Sequence, residues 1–223
     1  MASFDAFYPR LLRAEGGYCH LPGDSGGETW CGIARAYYPG WPGWPLVDAA
    51  KRRLGAASPV LAGRWPGLSR ELATDARLAE QARAFYRRAF WDALRLTELS
   101  SQAVAEQLAD HGVNAGVARA PRLLQYALRQ LGQSALAEDG LMGPHTLRAA
   151  NAAPAPALHQ ALVQLRRQFY RFRAGALVLA APDPLAGLFA RLRLHPDASQ
   201  ARFLAGWLAR IEALPACAGA PQA

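Results

Sequence analysis

Apolar residues Phe4, Phe7, Tyr8, Leu11 and Leu12 recur at the i, i+3, i+4, i+7 spacing of one helix face, and the run stops at Gly16-Gly17. The pattern predicts an amphipathic helix with Glu15 on its last turn, closed by glycine. The segments Tyr18-Cys19-His20-Leu21 and Thr29-Trp30-Cys31-Gly32-Ile33 then flank Pro22-Gly23-Asp24-Ser25-Gly26-Gly27, a run of turn-forming residues. One β-hairpin is expected there. Trp41-Pro42-Gly43-Trp44-Pro45 reads as a rigid aromatic loop that either caps the core or offers rings for stacking. Helical periodicity returns over 46–56 and 71–94, the second carrying the stripe Ala82, Phe85, Tyr86, Ala89 and Phe90. A helix over 100–115 places Asp110 and Asn114 on one face at i, i+4, which suits either a buried hydrogen-bonded network or one wall of a cleft. Helices over 119–131, 144–151, 155–179, 185–193 and 198–213 complete the chain, with Pro182 and Pro184 after the longest and a loose tail over 215–223. The fold class expected is α+β and mainly α-helical, with one small β-hairpin and a packed helical C-terminal half. Residues 1–95 form the first half and 96–214 a helical lobe, with no Pro/Ser/Gly linker between them.

With 223 residues and 52% hydrophobic content, the chain can bury one core, or a core with a docked lobe. No uncharged apolar run of membrane-spanning length occurs, so stable membrane insertion is not expected. The opening Met1-Ala2-Ser3-Phe4-Asp5 lacks the basic-then-apolar layout of a signal peptide, so synthesis in the cytoplasm without a Sec address is expected.

Chemistry enters with Glu15 and the hairpin. A carboxyl on a helix end, beside a turn carrying Asp24 and a strand carrying Thr29, suits cleavage of a glycosidic bond, which needs one protonated and one ionised carboxyl. Glu15, among apolar helix neighbours, is expected to be the proton donor, Asp24 in its polar turn the ionised partner, and Thr29 a positioner of water. Asp24 and Thr29 also have plain readings, as a turn former and a strand former. Other chemistries lack support. His20, His111, His145, His159 and His195 are scattered, with no His-x-x-x-His pair, no Cys-x-x-Cys and no Walker-type loop, so neither a metal nor an organic cofactor is expected. Cys19 and Cys31 would face each other across a hairpin centred on Ser25, close enough for a disulfide, or would be small buried residues; Cys217 would be unpaired.

Glu15-Gly16-Gly17-Tyr18, Asp24-Ser25-Gly26-Gly27-Glu28-Thr29 and Gly32-Ile33-Ala34 resemble the N-terminal signature of glycoside hydrolase family 108, muramidases that cleave bacterial peptidoglycan. Phe85 to Trp91, Asp110 to Gly116 and Asp139 to Leu147 resemble later blocks of that family, and Phe203 to Arg210 is similar to its closing, peptidoglycan-binding region. The resemblance implies a lysozyme-like first half, with the catalytic acid on Glu15. It also implies an N-acetylmuramidase acting on peptidoglycan glycan strands, with Tyr18, Asp110 and Asn114 as candidate substrate-binding residues; Tyr86 and Trp91 are candidates by a secondary reading, since a stripe such as theirs is more often core. Cys19, Cys31 and the insertion Tyr37 to Pro45 depart from the family pattern. A lytic transglycosylase outcome stays open, because the product depends on carboxyl separation. So does the choice between phage endolysin and bacterial export muramidase. Either would reach the periplasmic wall through a holin or a dedicated export system. A non-catalytic wall-binding or secretion-accessory protein is the alternative.

Basic residues number 25 against 17 acidic, a net charge of +8, and all but Lys51 are Arg. The excess gathers late, at Arg166, Arg167, Arg171, Arg173, Arg191, Arg193, Arg202 and Arg210. Such a surface attracts anionic polymers. No nucleic-acid-binding signature accompanies it, so the anionic bacterial envelope rather than nucleic acid is the expected partner, met by a monomer.

Overall fold

The computed structural model describes residues 1–20, 26–55, 63–180 and 182–217. The described chain is α+β and mainly helical, the class expected, and divides into two compact units: Asp5–Ala89, and Met1–Phe4 with Phe90–Ala223.

In the first unit, helix α1 runs Phe4–Glu15 and buries Phe4, Phe7, Tyr8 and Leu11 of the predicted stripe, leaving Leu12 half-buried. It ends where Gly16 takes φ +74°, a left-handed conformation that glycine adopts without steric cost. The single hairpin expected from sequence is instead a four-stranded antiparallel sheet in the order β3-β2-β1-β4. Its strands are β1 Tyr18–His20, β2 Glu28–Trp30, β3 Ile33–Ala34 and β4 Gly63–Arg64. The stretch Thr29 to Ile33 is broken by a second, two-residue hairpin turn, because Trp30 pairs directly with Ile33 across Cys31-Gly32. Both turn residues have positive φ, +46° at Cys31 and +78° at Gly32, the requirement of a type I′ turn.

Helices α2 Trp44–Arg53, α3 Pro66–Thr74 and α4 Ala76–Tyr86 complete this unit, α3 packing on β1 and on both other helices. The continuous helix expected over 71–94 is split. Asp75 ends α3 and starts α4, its carboxylate accepting from the backbone N–H groups of Arg77 and Leu78, and a π-helical turn Arg87–Asp92 follows α4. The aromatic loop is core rather than platform: Trp41 and Trp44 are buried edge to face at 5.1 Å, and Trp44 Nε1 donates to Tyr38 O at 2.8 Å.

In the second unit, α5 Gln102–Ala115 is buried at every residue from Ala103 to Gly112, so it lies inside its bundle rather than on it. It packs on α6 Ala120–Gln130 and the long α8 Ala155–Arg173; α7 Pro144–Ala152, α9 Pro184–Arg191 and α10 Leu204–Glu212 complete the unit, with α8 touching α5, α6, α7 and α10. The described part of the tail is tethered: Cys217 Sγ lies 3.9 Å from Ser101 Oγ.

His111 occupies the middle of this bundle. It is 1% exposed, edge-on to Phe169 at 4.9 Å, and neither ring nitrogen reaches a hydrogen-bond partner among the described residues. Burial first, then the charges of Arg166 and Arg119, hold its basicity well below the ordinary histidine value of 6.5. The fold therefore keeps the imidazole neutral, while the unfolded chain takes up a proton as pH falls below about 6.5. Stability is fully present above that pH and is expected to fall below it, by up to about 1.4 kcal/mol per pH unit from this group. Urea midpoints compared at pH 7.5 and 5.5 measure the effect. His111→Leu should reduce the dependence, leaving the share of His159, which burial lowers in the same sense.

Candidate active site

The first unit assembles its candidate chemistry at the point where α1 ends. Glu15, half-buried on the last residue of that helix, lies against the Cys31-Gly32 turn. A Cβ built on Gly32 would fall 2.6 Å from Tyr86 Oη and 2.8 Å from Glu15 Cδ, so two side chains already fill the space over this glycine. Only glycine fits here, by backbone angle and by contact. From the end of α4, the buried Tyr86 donates its hydroxyl proton to Cys31 O at 2.5 Å. Tyr8, two turns before Glu15 on α1, packs against the Tyr86 ring at 6.3 Å.

Titration at the turn follows burial. The Cys31 thiol is pushed up to about 12 by burial and then by the charge of Glu15, which leaves it a protonated thiol at neutral pH and removes it as an activated nucleophile. Burial, followed by the neighbouring Cys31, raises the Tyr8 hydroxyl to about 12 as well.

The sheet also carries a charged cluster that sequence reading passed over. Glu28, 8% exposed, accepts from Tyr18 Oη at 2.8 Å and pairs with Arg35 Nη1 at 2.8 Å and Lys51 Nζ at 2.5 Å. Arg35 and Lys51 also reach Asp48, and the Arg35 guanidinium lies 4.5 Å from the centre of the Trp44 ring. Burial alone would raise the Asp48 carboxyl, but Arg35 and Lys51 outweigh it and hold it below the usual range. Burial, then the bond to Glu28, pushes the Tyr18 hydroxyl up. Strand β2 is thereby tied to α2 through ions of opposite sign, which a buried carboxylate requires. The signal was in the alternation Glu28-Thr29-Trp30, which turns Glu28 to the same buried face as Trp30.

The remaining predicted site residues fall in different places. Thr29 is half-buried on the opposite face of β2, paired with Cys19 and Ala34, and its hydroxyl donates to Gly27 O at 3.3 Å. Asp24 lies outside the described residues. Tyr18 and Tyr86 are core residues whose hydroxyls are engaged by Glu28 and Cys31, so neither offers a ring to a saccharide as expected. In the second unit Trp91 is 1% exposed, edge-on to Phe4 and donating to Thr97 Oγ1 at 2.8 Å, which corrects its reading as a groove wall. Asp110 is buried between Arg166 and Arg210, whereas Asn114 is exposed near the helix end; of the two readings of this pair, Asp110 takes the buried network.

The disulfide expectation is corrected by register. Cys19 pairs with Thr29, so the hairpin is centred one residue earlier than the count about Ser25 assumed, and Cys31 lies past the strand in the left-handed turn. Both are free thiols. Among the described residues no group of three His, Cys, Asp or Glu side chains could hold a metal ion.

Comparison with known proteins places this arrangement. A solved structure described as "Structure of Brucella abortus SagA" shares the fold at a TM-score of 0.54 and 20% identity, covering 94% of this chain and 89% of that one. No curated protein sequence matches significantly. Residues 119–212, from α6 to α10, match the model of the Predicted Peptidoglycan domain, and residues 8–116, from α1 to the end of α5, match that of Glycosyl hydrolase 108. The chain thus belongs to the glycosyl hydrolase 108 family, as a peptidoglycan hydrolase with a peptidoglycan-domain lobe following its hydrolase region.

Proposed function

We propose that the protein is an N-acetylmuramidase that cleaves the β-1,4 bond between N-acetylmuramic acid and N-acetylglucosamine, with Glu15 as general acid. The observation that supports this reading is the seat of Glu15: a carboxyl on the last turn of a packed helix, lodged against a tight turn and next to a buried tyrosine hydroxyl. In the proposed reaction Glu15 gives its proton to the glycosidic oxygen as the bond to the sugar lengthens. Asp24 supplies the ionised carboxylate that meets the oxocarbenium charge, and Thr29 orients the water or the carboxylate. The lobe over 119–212 holds the glycan strand. The enzyme works on the periplasmic wall, reached through a holin or a dedicated export system.

Incubation with purified sacculi tests the reading, following turbidity and new reducing ends and identifying the muropeptides by mass spectrometry. Fragments ending in a reducing N-acetylmuramic acid are expected. Anhydro ends would replace hydrolysis with transglycosylation, and binding without sugar release would favour the non-catalytic wall-binding alternative.

Adsorption to the anionic wall has a distinct signature. Arg166 and Arg210 are committed to Asp110, Arg167 to Glu212, and Arg191 to Glu138, so the late arginines are less available than their number suggests. Arg171, Arg193 and Arg202 are exposed and carry the expected long-range attraction. Binding to sacculi should weaken as salt rises, since the screening length shrinks from about 10 Å at 0.1 M to about 3 Å at 1 M. Replacing these three by Ala should flatten that dependence in a pelleting assay, and salt-independent adsorption would exclude the electrostatic contribution.

A further inference from the structure

We propose that Tyr86 is a positioning residue for Glu15: its hydroxyl pins the Cys31-Gly32 turn and through that turn fixes the Glu15 carboxyl. The inference rests on the reading of Glu15 as the general acid.

Three elements meet at this point. The turn is strained, because Cys31 holds a left-handed conformation that is unfavourable for a non-glycine residue and persists only where its surroundings impose it. The Cys31 carbonyl is held by Tyr86, whose Oη lies 2.5 Å away. The Tyr86 ring is itself fixed by Tyr8, 6.3 Å away, and by Phe85 at 5.3 Å, an edge-to-face contact. Tyr8 and Glu15 are seven residues apart on α1 and so share a face, which sets both against the end of α4 and the turn. Glu15 Oε2 and Tyr86 Oη both crowd the point where a Gly32 side chain would begin. The carboxyl is therefore seated on a turn that one buried hydroxyl anchors.

A hydroxyl serving only stability could sit anywhere along the helix. This one acts on the backbone carrying the floor of the Glu15 seat, where a displacement of about 1 Å costs on the order of 10²-fold in rate. Removing it should free the Cys31 carbonyl and let the turn relax, while the ring and its packing stay. The loss should fall on the chemical step and not on glycan binding.

Tyr86→Phe tests this, with reducing-end release measured over a range of sacculus concentrations. A fall in kcat of about tenfold or more is expected, with KM within about twofold and the melting temperature close to wild type. In a double variant with Glu15→Gln the tyrosine substitution should cost no further activity, because its effect passes through the missing carboxyl. A kcat within twofold of wild type overturns the proposal. So does an equal loss in the Glu15→Gln background, which would place the hydroxyl's effect elsewhere. Should Tyr86→Phe fail to fold, Gly32→Ala decides: its methyl group must displace Glu15 or Tyr86, so kcat lost at unchanged KM supports the seat, and retained kcat overturns it. Glu15→Gln retaining activity refutes the general-acid reading itself. Loss in Glu15→Gln beside a fully active Tyr86→Phe refutes only the role of the tyrosine.

Discussion

Glu15→Gln is expected to remove lytic activity on sacculi by at least ~10²-fold and up to ~10⁴-fold, with the fold intact, because the amide keeps the shape of the side chain but has no acidic proton to give. The substitution is nearly isosteric where shape matters most, since the carboxyl fills the space over Gly32. Circular dichroism and sacculus binding should therefore match wild type while reducing-end release collapses. Retention of more than a tenth of the activity would remove Glu15 from the mechanism. Thr29→Ala should lose less, as its hydroxyl bonds within its own strand region and its proposed role is to orient.

The largest stability effect is expected at Asp110. Its carboxylate is buried and bridges Arg166, which is 1% exposed, and Arg210, whose Nε is 2.6 Å away. Arg166 also donates to Gln107 Oε1. Asp110→Ala leaves the Arg166 guanidinium in the core without a counter-charge, and breaking such a pair from one side costs about 3–5 kcal/mol. Urea unfolding should show a correspondingly lower midpoint at unchanged m-value. The companion test is Asp110→Leu combined with Arg166→Met, which removes both charges and should recover much of the loss. A loss under 1 kcal/mol in Asp110→Ala would mean that water enters and solvates the arginine, and that the cluster contributes little.

Elements governed by local rules were legible in the chain. The α1 stripe and the glycine pair behind it placed Glu15 on a terminal turn, since both the 3.6-residue period and the left-handed glycine stop are properties of a few adjacent residues. Register was not. Counting symmetrically from Ser25 paired Cys19 with Cys31, whereas Gly32 inside the strand pattern was the mark of a second turn that ended β2 early. The break at Asp75 was hidden because apolar spacing continues through a residue that caps one helix while ending another. The aromatic residues kept two readings for a different reason. Tyr18, Tyr86 and Trp91 have one spacing whether they face a groove or a core, and only tertiary packing shows that their polar atoms are engaged inside.

Helix α5 belongs to the hydrolase homology, which ends at 116, yet it packs on α6 and α8 of the peptidoglycan-domain homology that begins at 119. Helix α5 therefore shares the interior of the second unit with α6 and α8, and the joint between the two homologies is a seam in sequence but not within that unit. A chain cut after residue 117 would strip α5 of α6 and α8 and expose Val104, Ala105, Leu108 and Ala109 to water. The wall-directed lobe cannot then be traded for another by exchange at that joint, as beads on a string can. Any new specificity for the wall has to be acquired by substitution on the outer faces of α6 to α10, around a helix that stays where it is.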